Sequence, residues 1–98
     1  MKKHFDLMLK ANAIANKEVR QYSDIDEYDI QFIEHKSEID SDYIEEKLKR
    51  DYPNVNYDEP FFIIENMKAG WILDILNASQ VYSVADLLCA VERDKELK

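Results

Sequence analysis

FFIIENMKAGWILDIL, residues 61–76, is apolar at most positions apart from a short polar break, and the fold depends on reading it as one helix or as two strands. As a helix, it has Asp58 to cap its start and Pro60 in its first turn, with apolar side chains on nearly every side, so it would sit centrally. As strands, "FFIIE" and "WILDI" are joined by "NMKAG": β-branched and aromatic residues dominate both runs, and Gly70 serves the turn. Composition favours the helix, because the chain has one glycine and two prolines in 98 residues, and tight hairpin turns draw on residues that tolerate positive φ. The expectation is a mainly α protein, a single-domain bundle of four to five helices over residues 1–98. The alternative is an α+β fold with a small antiparallel sheet from residues 28–34, 61–65 and 71–75.

Outward from this stretch the helical signals are plainer. In the N-terminal segment, residues 2–22, the side chains Leu7, Met8, Ala11, Ile14, Ala15, Val19 and Tyr22 recur at spacings of three and four, which marks one face of an amphipathic helix. Ile44, Leu48 and Tyr52 form a similar stripe that starts at Asp40 or Ser41 and stops at Pro53. Ser83 and Asp86 make a capping box for a last helix that places Ala85, Leu88, Cys89 and Val91 inward, ahead of a charged tail. Ser23 with Asp26 resembles another capping box. Ile25, Tyr28, Phe32 and Ile39 then fit helical spacing, while Tyr28, Ile30 and Phe32 equally fit a half-buried strand, and both readings stay open. Trp71 and its neighbours read as core.

The net charge of minus eight is local. Residues 23–46, SDIDEYDIQFIEHKSEIDSDYIEE, hold ten acidic residues against one lysine, and the remainder of the chain sums to plus one. Glu45 with Lys49 and Glu46 with Arg50 are favourable helical pairs on a solvated face. Asp24, Asp26, Glu27, Asp29, Glu34, Glu38, Asp40 and Asp42 share only Lys36, and Glu34 with Glu38 and Glu38 with Asp42 are like charges at helical spacing. Folding alone gains nothing from that arrangement, whereas a surface that meets a cationic groove gains association rate and orientation. Tyr28 and Tyr43 lie among these acids, and tyrosine combines apolar area with a hydrogen-bonding end.

Sites for turnover are weak. Asp24, Asp26 and Asp29 resemble the opening of a calcium loop, but Tyr28 stands where a third oxygen ligand belongs and no glycine follows. His35 beside Glu34 and Glu38 has no second histidine nearby in sequence for a zinc site. Cys89 reads as a small core thiol, and no glycine-rich loop cradles phosphate. Clustered lysine and arginine are too few for direct nucleic-acid binding. A single cysteine implies a reducing compartment, taken as the cytoplasm, and no apolar run is long enough for a bilayer. Asp6 and Lys10 interrupt the stretch MKKHFDLMLKANAIA and argue against a secretion signal.

The functional expectation is therefore a small acidic protein with no enzymatic activity, cofactor or metal. It docks on a basic, nucleic-acid-handling protein through residues 23–46, as an immunity protein, antitoxin or phage anti-defence protein does on a nuclease, toxin or polymerase. The alternative is an adaptor or homodimer that binds through an apolar face anchored by Phe61, Phe62, Trp71 and Ile75; an unrecognised enzyme is third.

Overall fold

The structure, a computed structural model, describes residues 2–16 and 26–97. It overturns the helical bundle. Helix α1 (Lys2–Ala15) is followed by strand β1 (Tyr28–Ile33) and a 3-10 turn (Lys36–Glu38). Helix α2 (residues 41–51) has a π-helical stretch, Ile44–Leu48, between α-helical ends. Strands β2 (Phe61–Asn66) and β3 (Trp71–Asn77) and helix α3 (Val84–Glu96) complete the described fold. The strands form one antiparallel sheet in the order β1-β2-β3, so the class is α+β, built from the three segments of the alternative reading. None of the described helices is long and apolar enough to cross a membrane.

The reason residues 61–76 resemble a central helix is that β2 is the central strand and is covered on both faces. Phe61, Phe62, Ile63 and Ile64 are all buried, which removes the alternation that marks a one-sided strand. On one face Phe62 and Ile64 join Tyr28, Ile30 and Leu76 beneath α1 and α3, where Ala11, Ala15, Leu87 and Val91 complete the larger core. On the other face Phe61 and Ile63 meet Ile33 and Ile75 beneath Ile44 and Leu48 of α2 and Tyr57 of the loop that follows. The polar break is the hairpin turn: Gly70 takes φ +79°, its N–H donates to the Asn66 carbonyl at 2.9 Å, and the Asn66 side-chain oxygen accepts from the Lys68 and Ala69 amides. One glycine suffices because only one position here needs the left-handed region. Asp58 and Pro60, read as a helix start, instead lead into β2.

The β1 edge of this small sheet is capped by side chains of α1, and the β3 edge is irregular and carries fewer contacts. Along β1, Asn12 and Asn16 of α1 each use a side-chain amide as a surrogate strand. Asn16 accepts from the Tyr28 N–H and donates to its carbonyl, both at 2.8 Å, and Asn12 does the same for Ile30 at 2.9 and 2.8 Å. Four helical residues advance about 6 Å and two strand residues about 6.7 Å, so the two spacings match. Along β3 the register shifts at Ile64/Glu65, the Tyr52 hydroxyl donates to the Ile72 carbonyl, and the Asp74 carboxylate accepts from the Ile75 N–H. An irregular register and local acceptors are the means by which edge strands avoid pairing with other chains.

Several inward assignments move. Helix α3 begins at the Ser83–Asp86 capping box as read from sequence, but it buries Leu87, Ala90 and Val91, while Cys89 and Ala85 face out. Trp71 is 59% exposed rather than core, because it sits at the end of the edge strand. In α1, Ala11 and Ala15 are buried but Ile14 is exposed, and Val19 and Tyr22, with the Ser23–Asp26 cap, involve residues outside those described.

Candidate functional site

The acidic segment is spread over three kinds of structure. Asp24 lies outside the described residues. Asp26 and Glu27 are half-buried at the start of β1, and Glu27 accepts from the buried Asn66 amide at 3.1 Å. Tyr28 is a core residue, 1% exposed, whose hydroxyl donates to Asp94 at 2.8 Å; burial foremost, then that bond, pushes its pKa up. Glu34 and Glu38 are exposed around the 3-10 turn, and Glu38 accepts from the His35 amide as half of a capping box. The other half is His35 Nδ1, which accepts from the Ser37 amide at 3.1 Å. Asp40 is the N-cap of α2, accepting from Asp42 N, and Tyr43 is half-exposed with the Lys47 ammonium over its ring.

These placements change the meaning of the charge. Glu34, Glu38 and Asp42 are not on one helix, so the like-charge helical pairs read from sequence do not form. Asp40, Asp42, Glu45 and Glu46 cluster at the start of α2 while Lys47, Lys49 and Arg50 lie toward its end, the polarity that complements a helix dipole. Glu45 pairs with Lys49 at 2.6 Å as expected, whereas Arg50 pairs with Asp51 at 3.1 Å rather than with Glu46. Much of the acidity of α2 thus has a local role.

One part does not. Helix α2 covers Ile33, Phe61 and Ile63 at one end of its sheet face and leaves Asp29, Gln31 and Glu65 at the other end only partly covered. Asp29 and Glu65 are register partners, directly opposite on neighbouring strands. Like charges so placed are destabilising. Burial first, and the Asp29 charge second, raise the Glu65 pKa, with Lys47 acting in the opposite direction. Gln31 donates to Asp29 at 2.7 Å and orients it. The sequence alone points to Asp29 but not to Glu65 or Lys47; an acid closing an apolar strand is the signal, hidden when residues 61–76 read as a helix.

On the other side of α2, where Ser41, Glu45 and Lys49 recur four residues apart, a cavity of about 510 Å3 opens between the helix, the 3-10 turn and residues 53–58. A shallower groove of about 330 Å3 lies between Trp71 and Leu97, both exposed. The apolar anchors of the alternative reading are otherwise interior: Phe61 and Phe62 are 0% and Ile75 3% exposed. Comparison of the chain with protein-family models, curated proteins and solved structures gives no match.

Proposed function

We propose that this chain is a binding protein that docks on a cationic surface of a partner protein through the strip formed by Asp29 and Glu65, flanked by Tyr43 and the acidic start of α2. The observation that carries the reading is the cross-strand Asp29–Glu65 pair. Two carboxylates directly opposite each other weaken the free fold, and an arginine or lysine brought between them turns repulsion into two charge-assisted hydrogen bonds. The flanking acids on α2 and Glu34 add long-range steering, which raises association rate and suppresses wrong partners.

The partner class remains the one expected from charge: a cytoplasmic nucleic-acid-handling protein such as a nuclease, toxin or polymerase, with its basic groove blocked by a stoichiometric inhibitor rather than a catalyst. The test is affinity capture from native host lysate with the tagged protein and with a D29N/E65Q variant, each eluted by rising salt. A basic protein held by the native chain, released at moderate salt and lost from the variant supports the reading. Retention by both forms, or release that ignores salt, contradicts it.

A further inference from the structure

Neither Asp29 nor Glu65 lines the cavity beside α2, whose rim includes Glu45 from the acidic start of that helix. At about 510 Å3 it falls within the range of small-molecule sites, and its walls are built from Ile39, Ile44, Val55 and Tyr57 of the smaller core. The mouth is charged. Lys36, from the 3-10 turn, reaches 22 residues along the chain to pair with Asp58 at 2.5 Å, and Lys49 of α2 lines the same opening.

We propose that this cavity binds a small molecule with an apolar body and a single carboxylate, and that the carboxylate takes the place Asp58 holds against Lys36. The Asp58 carboxyl is held below the usual carboxylate range by the hydrogen bond and charge of Lys36, with a further contribution from Lys49. Lys36 therefore faces a point at the cavity mouth that the chain's own Asp58 carboxylate occupies, while Lys49, on the same lining, is paired with Glu45 at 2.6 Å. The exchange is inexpensive. The side chains of Lys36 and Asp58 are 50% and 75% exposed, a setting in which an ion pair contributes little. Asp58, the more exposed partner, is the one that returns to water with the smaller loss. The hydroxyl of Ser41 lines the opening and supplies a further donor to an anionic head.

The probe is 4-phenylbutyrate, compared with the amine of the same length, 4-phenylbutylamine, by NMR titration of the full chain. The carboxylate is expected to shift the methyl signals of Ile39, Ile44 and Val55 saturably, at concentrations up to about 10 mM, and the amine to leave them unchanged. Asp58→Asn vacates the anion position and should tighten the carboxylate several-fold. Lys36→Met with Lys49→Met keeps the apolar stems and should weaken it several-fold. These positions are on the surface, so the variants keep the fold, which the same spectra verify. No saturable shift with the carboxylate, equal binding of the amine, or weaker carboxylate binding by Asp58→Asn would overturn the assignment. Each of these failures leaves the docking strip unaffected.

Discussion

Neutralising the cross-strand acid pair should stabilise the free protein. Glu65→Gln keeps the size of the side chain and removes the repulsion with Asp29, its register partner. Pairwise cross-strand effects run about 0.2–1 kcal/mol, and the half-exposed setting of Glu65 places the gain near the middle of that range, about 0.5 kcal/mol. For a domain of this size that is a rise in Tm of about 2–4 °C. The pH dependence has a definite sign. A carboxyl whose folded pKa is raised binds its proton more tightly in the folded state, so Glu65 costs stability as pH rises through the acid range and restores it as pH falls. The gain from Glu65→Gln should therefore be full at neutral pH and shrink toward pH ~4. The assay is denaturant unfolding of the native chain, D29N, E65Q and the double variant. Each single change should stabilise, and the double should gain less than their sum, because either one removes the same repulsion. Loss of stability in both single variants, or simple additivity, would refute the argument that the two carboxylates oppose each other.

Three further outcomes follow from the same contacts. Asn16→Ala leaves the buried N–H and carbonyl of Tyr28 without their side-chain partner and should cost about 2–3 kcal/mol by urea unfolding, with faster hydrogen exchange at the Tyr28 amide. Gly70→Ala forces a side chain into φ +79° although space around it is open, so the loss of about 1 kcal/mol comes from backbone strain alone, and Gly70→Asn should lose less in the same thermal melts. The Tyr57 hydroxyl lies within hydrogen-bonding distance of the Leu48 and Tyr52 carbonyls, and burial pushes its pKa up to about 12. Above pH ~10 the unfolded tyrosine ionises while the folded one keeps its proton, so stability falls from pH ~10 toward ~12. Tyr57→Phe should flatten that part of the decline when unfolding is compared at pH ~9 and ~11.

Local signals in this sequence were read where a segment meets solvent on one side. The stripe Ile44, Leu48, Tyr52, the stop at Pro53 and the Ser83–Asp86 box all correspond to observed features, because one-faced burial imprints a period. Strand β2 carries no such imprint, since α1 and α3 lie on one face and α2 on the other, and a strand buried on both sides is a plain apolar run. The low glycine count misled for a related reason: a single left-handed position at Gly70 closes the β2–β3 hairpin, and the β1–β2 connection is carried by α2 instead of a tight turn. The asparagines of α1 were invisible as edge caps because their partners, Tyr28 and Ile30, become neighbours only through the tertiary fold. Of the acidic segment, concentration was legible but arrangement was not. Tyr28 is core, and the partner of Asp29 comes from a strand whose unbroken apolar run reads as a helix.

The most direct test of the docking strip is the Glu65 side-chain carboxyl titration, followed by carbon-detected NMR in the free protein and with an arginine-rich peptide as a cationic probe. The Glu65 pKa is raised in the free chain, and on peptide binding it should fall, with backbone chemical-shift changes at Asp29 and Glu65 larger than those at the exposed Glu34. A Glu65 titration that ignores the peptide, or chemical-shift changes at Asp29 and Glu65 no larger than those at Glu34, would contradict the assignment of the Asp29–Glu65 pair as the docking centre.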